Sequence, residues 1–136
     1  MKKTIVFAAI FFVAAGVFAQ SSPKEKAEAN LTELNNFFQL DEVQKSSAMS
    51  FLTKKYQDVE EIQDLKTADP EKYLHKRAIL TEMYFKDVRL LLSEEQARLF
   101  SVWTKSRSDL KNDLFKQLQS SGVSQMDLRL QIAEID

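Results

Sequence analysis

Cysteine is absent from the 136-residue chain, and glycine (two), proline (two) and histidine (one) are scarce. Without cysteine there is no disulfide, no thiol nucleophile and no cysteine for an N-terminal lipid anchor. Gly16 lies in an apolar leader, so Gly122 is the one glycine beyond it. A glycine-rich phosphate loop is therefore excluded. A β-rich fold is excluded too, because it needs turn residues every eight to twelve positions or so. The only histidine, His75, has no nucleophile motif near it and sits in the charged stretch from Lys72 to Arg77. Catalytic residues are therefore not expected, and the chain reads as a non-enzyme. Met49, Met83 and Met126 are scattered along the chain and fit core filling better than metal ligation. A transition-metal site needs several convergent ligands, so neither a metal nor another cofactor is expected. Glu60 and Asp64 form an i, i+4 carboxylate pair beside Lys54 and Lys55, which reads as a hydrated charged face.

The first twenty residues have the three zones of a secretory signal. Lys2 and Lys3 precede the uncharged run Thr4 to Phe18, and Val17-Phe18-Ala19 then supplies the residues before a cut. Residues 1–19 are predicted to be a signal peptide cleaved near Ala19, leaving residues 20–136 as a single periplasmic domain. The apolar run falls short of the roughly twenty residues that a membrane span needs, so no span is expected after cleavage. Loss of Lys2 and Lys3 leaves 17 basic against 20 acidic residues, a net charge near −3. That acidity argues against nucleic acid as a partner.

Hydrophobic periodicity predicts an all-α fold, a small bundle of four to five helices. The first helix runs from about Lys24 to Phe38 on the stripe Ala27, Leu31, Leu34 and Phe38. Asn30-Leu31-Thr32 matches a glycosylation sequon, which carries no weight beside a bacterial-type signal. The second helix starts at Asp41 with core positions Met49, Leu52, Tyr56, Val59 and Ile62, and with Lys54 and Lys55 on its other faces. Asp69-Pro70 caps and begins the third helix, which ends near Leu91. The fourth starts at Ser93, runs to about Ser120 and stops before Gly122. Ser124 to Asp127 can cap a short last helix carrying Leu128, Ile132 and Ile135.

The third helix carries too much apolar surface for one core face. Leu74, Ala78, Phe85, Val88 and Leu92 form one stripe; Ile79, Met83 and Leu90 a second; Leu80, Tyr84 and Leu91 a third. Either the helix is central and covered by its own neighbours, or one stripe faces a second copy or another polypeptide.

Two helix starts repeat one pattern. Leu40-Asp41-Glu42-Val43-Gln44 and Leu92-Ser93-Glu94-Glu95-Gln96 each join a leucine, an N-capping residue and, three positions on, a glutamine. Leu92 follows Leu40 by 52 positions, and Phe51 and Trp103 stand at matching places beyond. In each copy the cap side chain serves the third backbone N–H, and the glutamine reaches back to the N-cap.

On these residues the chain resembles the Spy/CpxP family of periplasmic stress proteins, named for a twice-occurring Leu-Thr-x-x-Gln motif. The stretch MYFKDVRLLLSEEQARLF, Met83 to Phe100, looks most like the family pattern, while Asp41 and Ser93 replace threonine. The resemblance implies a thin helical hairpin that dimerises into a curved cradle and acts without ATP as a chaperone for unfolded proteins. The alternative it leaves open is a non-catalytic dimeric adaptor, sensor or accessory module for one envelope partner in stress or metal-resistance signalling. The polypeptide-binding surface is then expected on the third helix, where Ile79, Met83 and Leu90 lie among Lys76, Arg77, Lys86 and Arg89. Lys105, Arg107 and Lys111 on the fourth helix are further basic candidates.

Overall fold

The computed structural model describes residues 21–136, so the predicted signal peptide of residues 1–19 lies outside the described residues. The described chain is an all-α bundle: α1 Pro23–Phe38, α2 Glu42–Glu61, α3 Leu65–Ala68, α4 Pro70–Leu91, α5 Glu94–Ala97, α6 Phe100–Ser120 and α7 Gln125–Ala133. α1 packs on α2, α2 on α4, and α7 against both α4 and α6.

Local chemistry sets the helix ends. Ser22 and Glu25 form a capping box at α1: Glu25 N–H donates to Ser22 Oγ at 3.2 Å and Ser22 N–H donates to Glu25 Oε2 at 2.9 Å. Gln39 ends α1 in the left-handed conformation, φ 55°, and its N–H donates to the Asn35 carbonyl at 2.8 Å. That reversal brings α2 back along α1, so Asn30 meets Tyr56. Asp69 caps α4 by accepting from Lys72 N–H at 3.1 Å, with Pro70 in the first turn as the sequence predicts. Gly122 takes φ 78° after α6, a conformation that suits a residue without Cβ. Ser124 caps α7, accepting from Asp127 N–H at 3.1 Å.

Two predicted helices are shorter than expected. The second stops at Glu61, where Ile62 and Gln63 bond to carbonyls only three residues back, and α3 follows as a separate turn. The fourth is broken. Arg98 and Leu99 donate to Glu95 and Gln96, also three residues back, and the chain restarts as α6 at Phe100. Such bonds tighten a helix end into a 3₁₀ turn and interrupt the i→i−4 ladder there.

The core is aromatic. Trp103 meets Phe38, Tyr84, Phe85 and Phe100, with ring centroids 5.4 to 5.9 Å apart and mostly edge-to-face. Ala27, Leu34, Leu40, Ala48, Leu52 and Val88 close around this cluster. On α4 the buried line is Tyr73, Arg77, Tyr84 and Val88, which runs between two of the predicted stripes and borrows from both. Of the first stripe, Ala78 is exposed and Leu74 and Phe85 are half-buried.

Candidate functional site

Both repeated motifs are helix starts with complete capping boxes. Gln44 N–H donates to Asp41 Oδ1 at 2.8 Å, and Asp41 N–H donates to Gln44 Oε1 at 3.0 Å. Gln96 N–H donates to Ser93 Oγ at 3.3 Å, and Ser93 N–H donates to Gln96 Oε1 at 2.9 Å.

The fold sets these two boxes against each other. Gln44 Nε2 donates to Gln96 Oε1 at 2.6 Å, and Gln96 Nε2 donates to Gln44 Oε1 at 3.1 Å. Each amide also serves the helix that ends at the other motif. Gln44 Nε2 donates to the Leu91 carbonyl at 3.0 Å, while Gln96 Nε2 donates to Phe38 and Gln39 carbonyls at 3.1 and 3.2 Å. Leu91 and Gln39 each stand one residue before a motif leucine, so the junction has local two-fold character. One side chain per motif therefore satisfies a helix N-terminus and an orphan carbonyl of another helix. Leu40 is buried beneath the junction and Leu92 is half-buried.

The outer face of α4 leaves this junction toward solvent. Ile79, Met83 and Leu90 are 44, 48 and 72% exposed. Lys76, Ile79, Met83, Lys86 and Leu90 follow one another at three- and four-residue steps, one line along the helix, and all are exposed. Arg89 lies beside the line with its guanidinium 5.5 Å from the Phe100 ring. At the junction end, Val43, 77% exposed, joins Leu90, Leu91 and Phe51 around a shallow groove of about 330 Å³ that also touches Gln44. Val43 was not legible as a surface residue of interest because it sits at a variable position inside a capping box. Leu99, Val102, Leu110 and Phe115 are further exposed apolar side chains, all from α5–α6.

Arg77 does not belong to the basic surface predicted for it. It is 4% exposed, and its Nη2 donates to the Asp136 carbonyl at 2.7 Å and to the Ala133 carbonyl. Arg107 is also turned inward: it donates to Glu33 at 2.8 Å, the Asp136 carboxylate at 3.3 Å and the Ile135 carbonyl at 2.7 Å. Lys111 closes on the same Asp136 carboxylate. Lys55, expected on a hydrated face, is 6% exposed. Its Nζ has no hydrogen-bond partner and lies 3.8 Å from the centre of the Tyr84 ring and 4.9 Å from that of Tyr56. Burial, reinforced by Arg77 and Arg107, holds the Lys55 ammonium well below its usual pKa. Asn30 bridges the two rings above it, donating to Tyr56 Oη at 3.0 Å and accepting from Tyr84 Oη at 2.9 Å. The sequon asparagine is thus a core residue.

Among the described residues, no group of three or more histidine, aspartate or glutamate side chains is placed to hold a metal ion. No described helix is long and apolar enough to cross a membrane. Comparison with protein-family models, curated proteins and solved structures finds no match to the chain.

Proposed function

We propose that this is an exported, non-catalytic polypeptide-binding protein of the cell envelope, similar in role to the ATP-independent chaperones of the Spy/CpxP family. The observation that carries the reading is the line Lys76, Ile79, Met83, Lys86 and Leu90, in which three apolar and two basic side chains share one solvent-facing edge of α4. Charge attracts an acidic unfolded segment at long range, and apolar contact then retains it. The reciprocal glutamine junction supports the family resemblance, because it gives both motif copies one physical task. The leader of residues 1–19 supports export to the periplasm.

The protein works in this reading as a homodimer or larger assembly. Val102, Leu110 and Phe115 are exposed apolar side chains on α6 that a second copy would cover in such an assembly. Sedimentation at tens of micromolar should give at least a dimer; a stable monomer would remove assembly from the account. Aggregation assays on several unrelated acidic and neutral clients test the chaperone reading. Protection of most of them is expected. Protection of none, with tight binding to one envelope protein, would favour the adaptor or sensor role instead.

A further inference from the structure

Because cysteine is absent, sulfur chemistry among the described residues falls on three thioethers, Met49, Met83 and Met126. They differ in access to solvent. Met49 is half-buried against the aromatic core, and Met126 is half-buried in the first turn of α7. Met83 is 48% exposed on the outer edge of α4. It is also the central member of the line Lys76, Ile79, Met83, Lys86 and Leu90, four residues after Ile79 and three before Lys86.

Hydrogen peroxide converts such a thioether into a different kind of side chain. A sulfur lone pair takes one peroxide oxygen, so a sulfur–oxygen bond forms as the O–O bond breaks. Sulfur is oxidised by two electrons, the peroxide is reduced to water, and the proton passes through solvent. The product, a sulfoxide, is polar and chiral, with a strong oxygen acceptor where apolar surface stood. No base or metal from the protein takes part, so access decides which methionine reacts first. At an exposed helix position the change leaves the core untouched, whereas a sulfoxide at Met49 would press against it. An exported chain, moreover, works where the cytosolic thiol pool does not hold oxidants down.

We propose that Met83 is a reversible oxidation site that switches client binding on α4: its thioether form holds apolar polypeptide and its sulfoxide form releases it. A thiol-dependent sulfoxide reductase restores the first form, the oxygen leaving as water while two thiols become a disulfide. The inference rests on the polypeptide-binding reading of this edge.

Limited peroxide treatment of the folded chain, followed by peptide mass mapping, should oxidise Met83 about fivefold or more faster than Met49 or Met126. The treated protein should keep its circular dichroism melt and lose about threefold or more of its protection of an aggregating client. Met83→Leu keeps the apolar line without the sulfur and should protect equally before and after peroxide. Met83→Gln should show the loss with no oxidant at all. Oxidation of the three methionines at equal rates would remove the site. Undiminished protection by the Met83-oxidised chain, or the same loss in treated Met83→Leu, would overturn the switch while the binding reading stands. If the untreated chain protects no client, the binding reading itself fails and the switch falls with it, even where mapping shows Met83 oxidised first.

Discussion

The side-chain amides of Gln44 and Gln96 hydrogen-bond to each other in both directions, at 2.6 and 3.1 Å, across 52 residues of sequence. Each oxygen also accepts from the N-cap of its own helix, and each Nε2 also donates to the last carbonyls of a helix from the other half of the chain. Only a side chain that carries both a donor and an acceptor, and reaches this far, can do all three. Glutamate loses the donor, and asparagine is one carbon short.

Gln44→Ala and Gln96→Ala should therefore each cost about 1–3 kcal/mol, since each leaves partly buried groups unpaired. The double variant should cost less than the sum of the two, with a coupling of at least about 0.5 kcal/mol. Denaturant titration of the four proteins measures this. Strict additivity would mean that the two amides stabilise their own helices independently and that their pairing is incidental.

Asp41 and Ser93 perform the same capping task with different chemistry. Removing either side chain by alanine should cost about 1 kcal/mol, because an orphan N–H of the first turn loses its acceptor. Threonine at either position should restore that loss. Urea midpoints of Asp41→Ala, Ser93→Ala and the two threonine variants provide the comparison; a threonine variant no better than alanine would contradict the capping role.

Lys55 gives the stability of the fold a distinctive pH dependence. Its pKa in the folded chain is well below the ordinary lysine value of 10.5, so between these two values the unfolded chain binds a proton that the folded chain does not. Stability therefore rises as pH is raised from the folded pKa toward about 10.5. The tyrosines act in the opposite sense at higher pH: burial raises Tyr73 from 10.0 to about 12 and also raises Tyr84. Their contribution is present below pH 10 and lost as pH climbs through those raised values, so stability should peak near pH 10. Lys55→Met removes the buried amine and should stabilise the protein at pH 7 by about 1–3 kcal/mol. It should also flatten the rise between neutral pH and pH 10. Melting curves across pH 6 to 11 check both effects, and a destabilised Lys55→Met protein at pH 7 would show instead that the contact with Tyr84 outweighs desolvation.

What could be read from the sequence follows from how local the cause is. The capping boxes at Asp41 and Ser93, the Asp69-Pro70 break, Gly122 and the Ser124 cap each depend on a few neighbouring residues, and each lies where the pattern puts it. The exposed stripe Ile79, Met83 and Leu90 was legible because three apolar stripes exceed what one helix face can bury. The buried charges were not. Lys55, Arg77 and Arg107 look like solvated residues until Tyr84 and Asp136, distant in sequence, are brought against them. Asn30 is another such case, buried in a helix position that the apolar stripe skips. The glutamine pair lies between these extremes. Its capping half was written in the three-residue spacing, and its cross-pairing was signalled only by the repetition of that spacing.

The central claim is that the outer edge of α4 binds polypeptide and is not core, and the double substitution Ile79→Ser with Met83→Ser tests it most directly. Both side chains are close to half exposed, so their replacement should cost no more than about 1 kcal/mol each. A circular dichroism melt should thus remain nearly that of the wild type, while the same sample loses most of its ability to keep an unfolded client from aggregating. Unfolding of the variant, or undiminished protection by a folded one, would contradict the account.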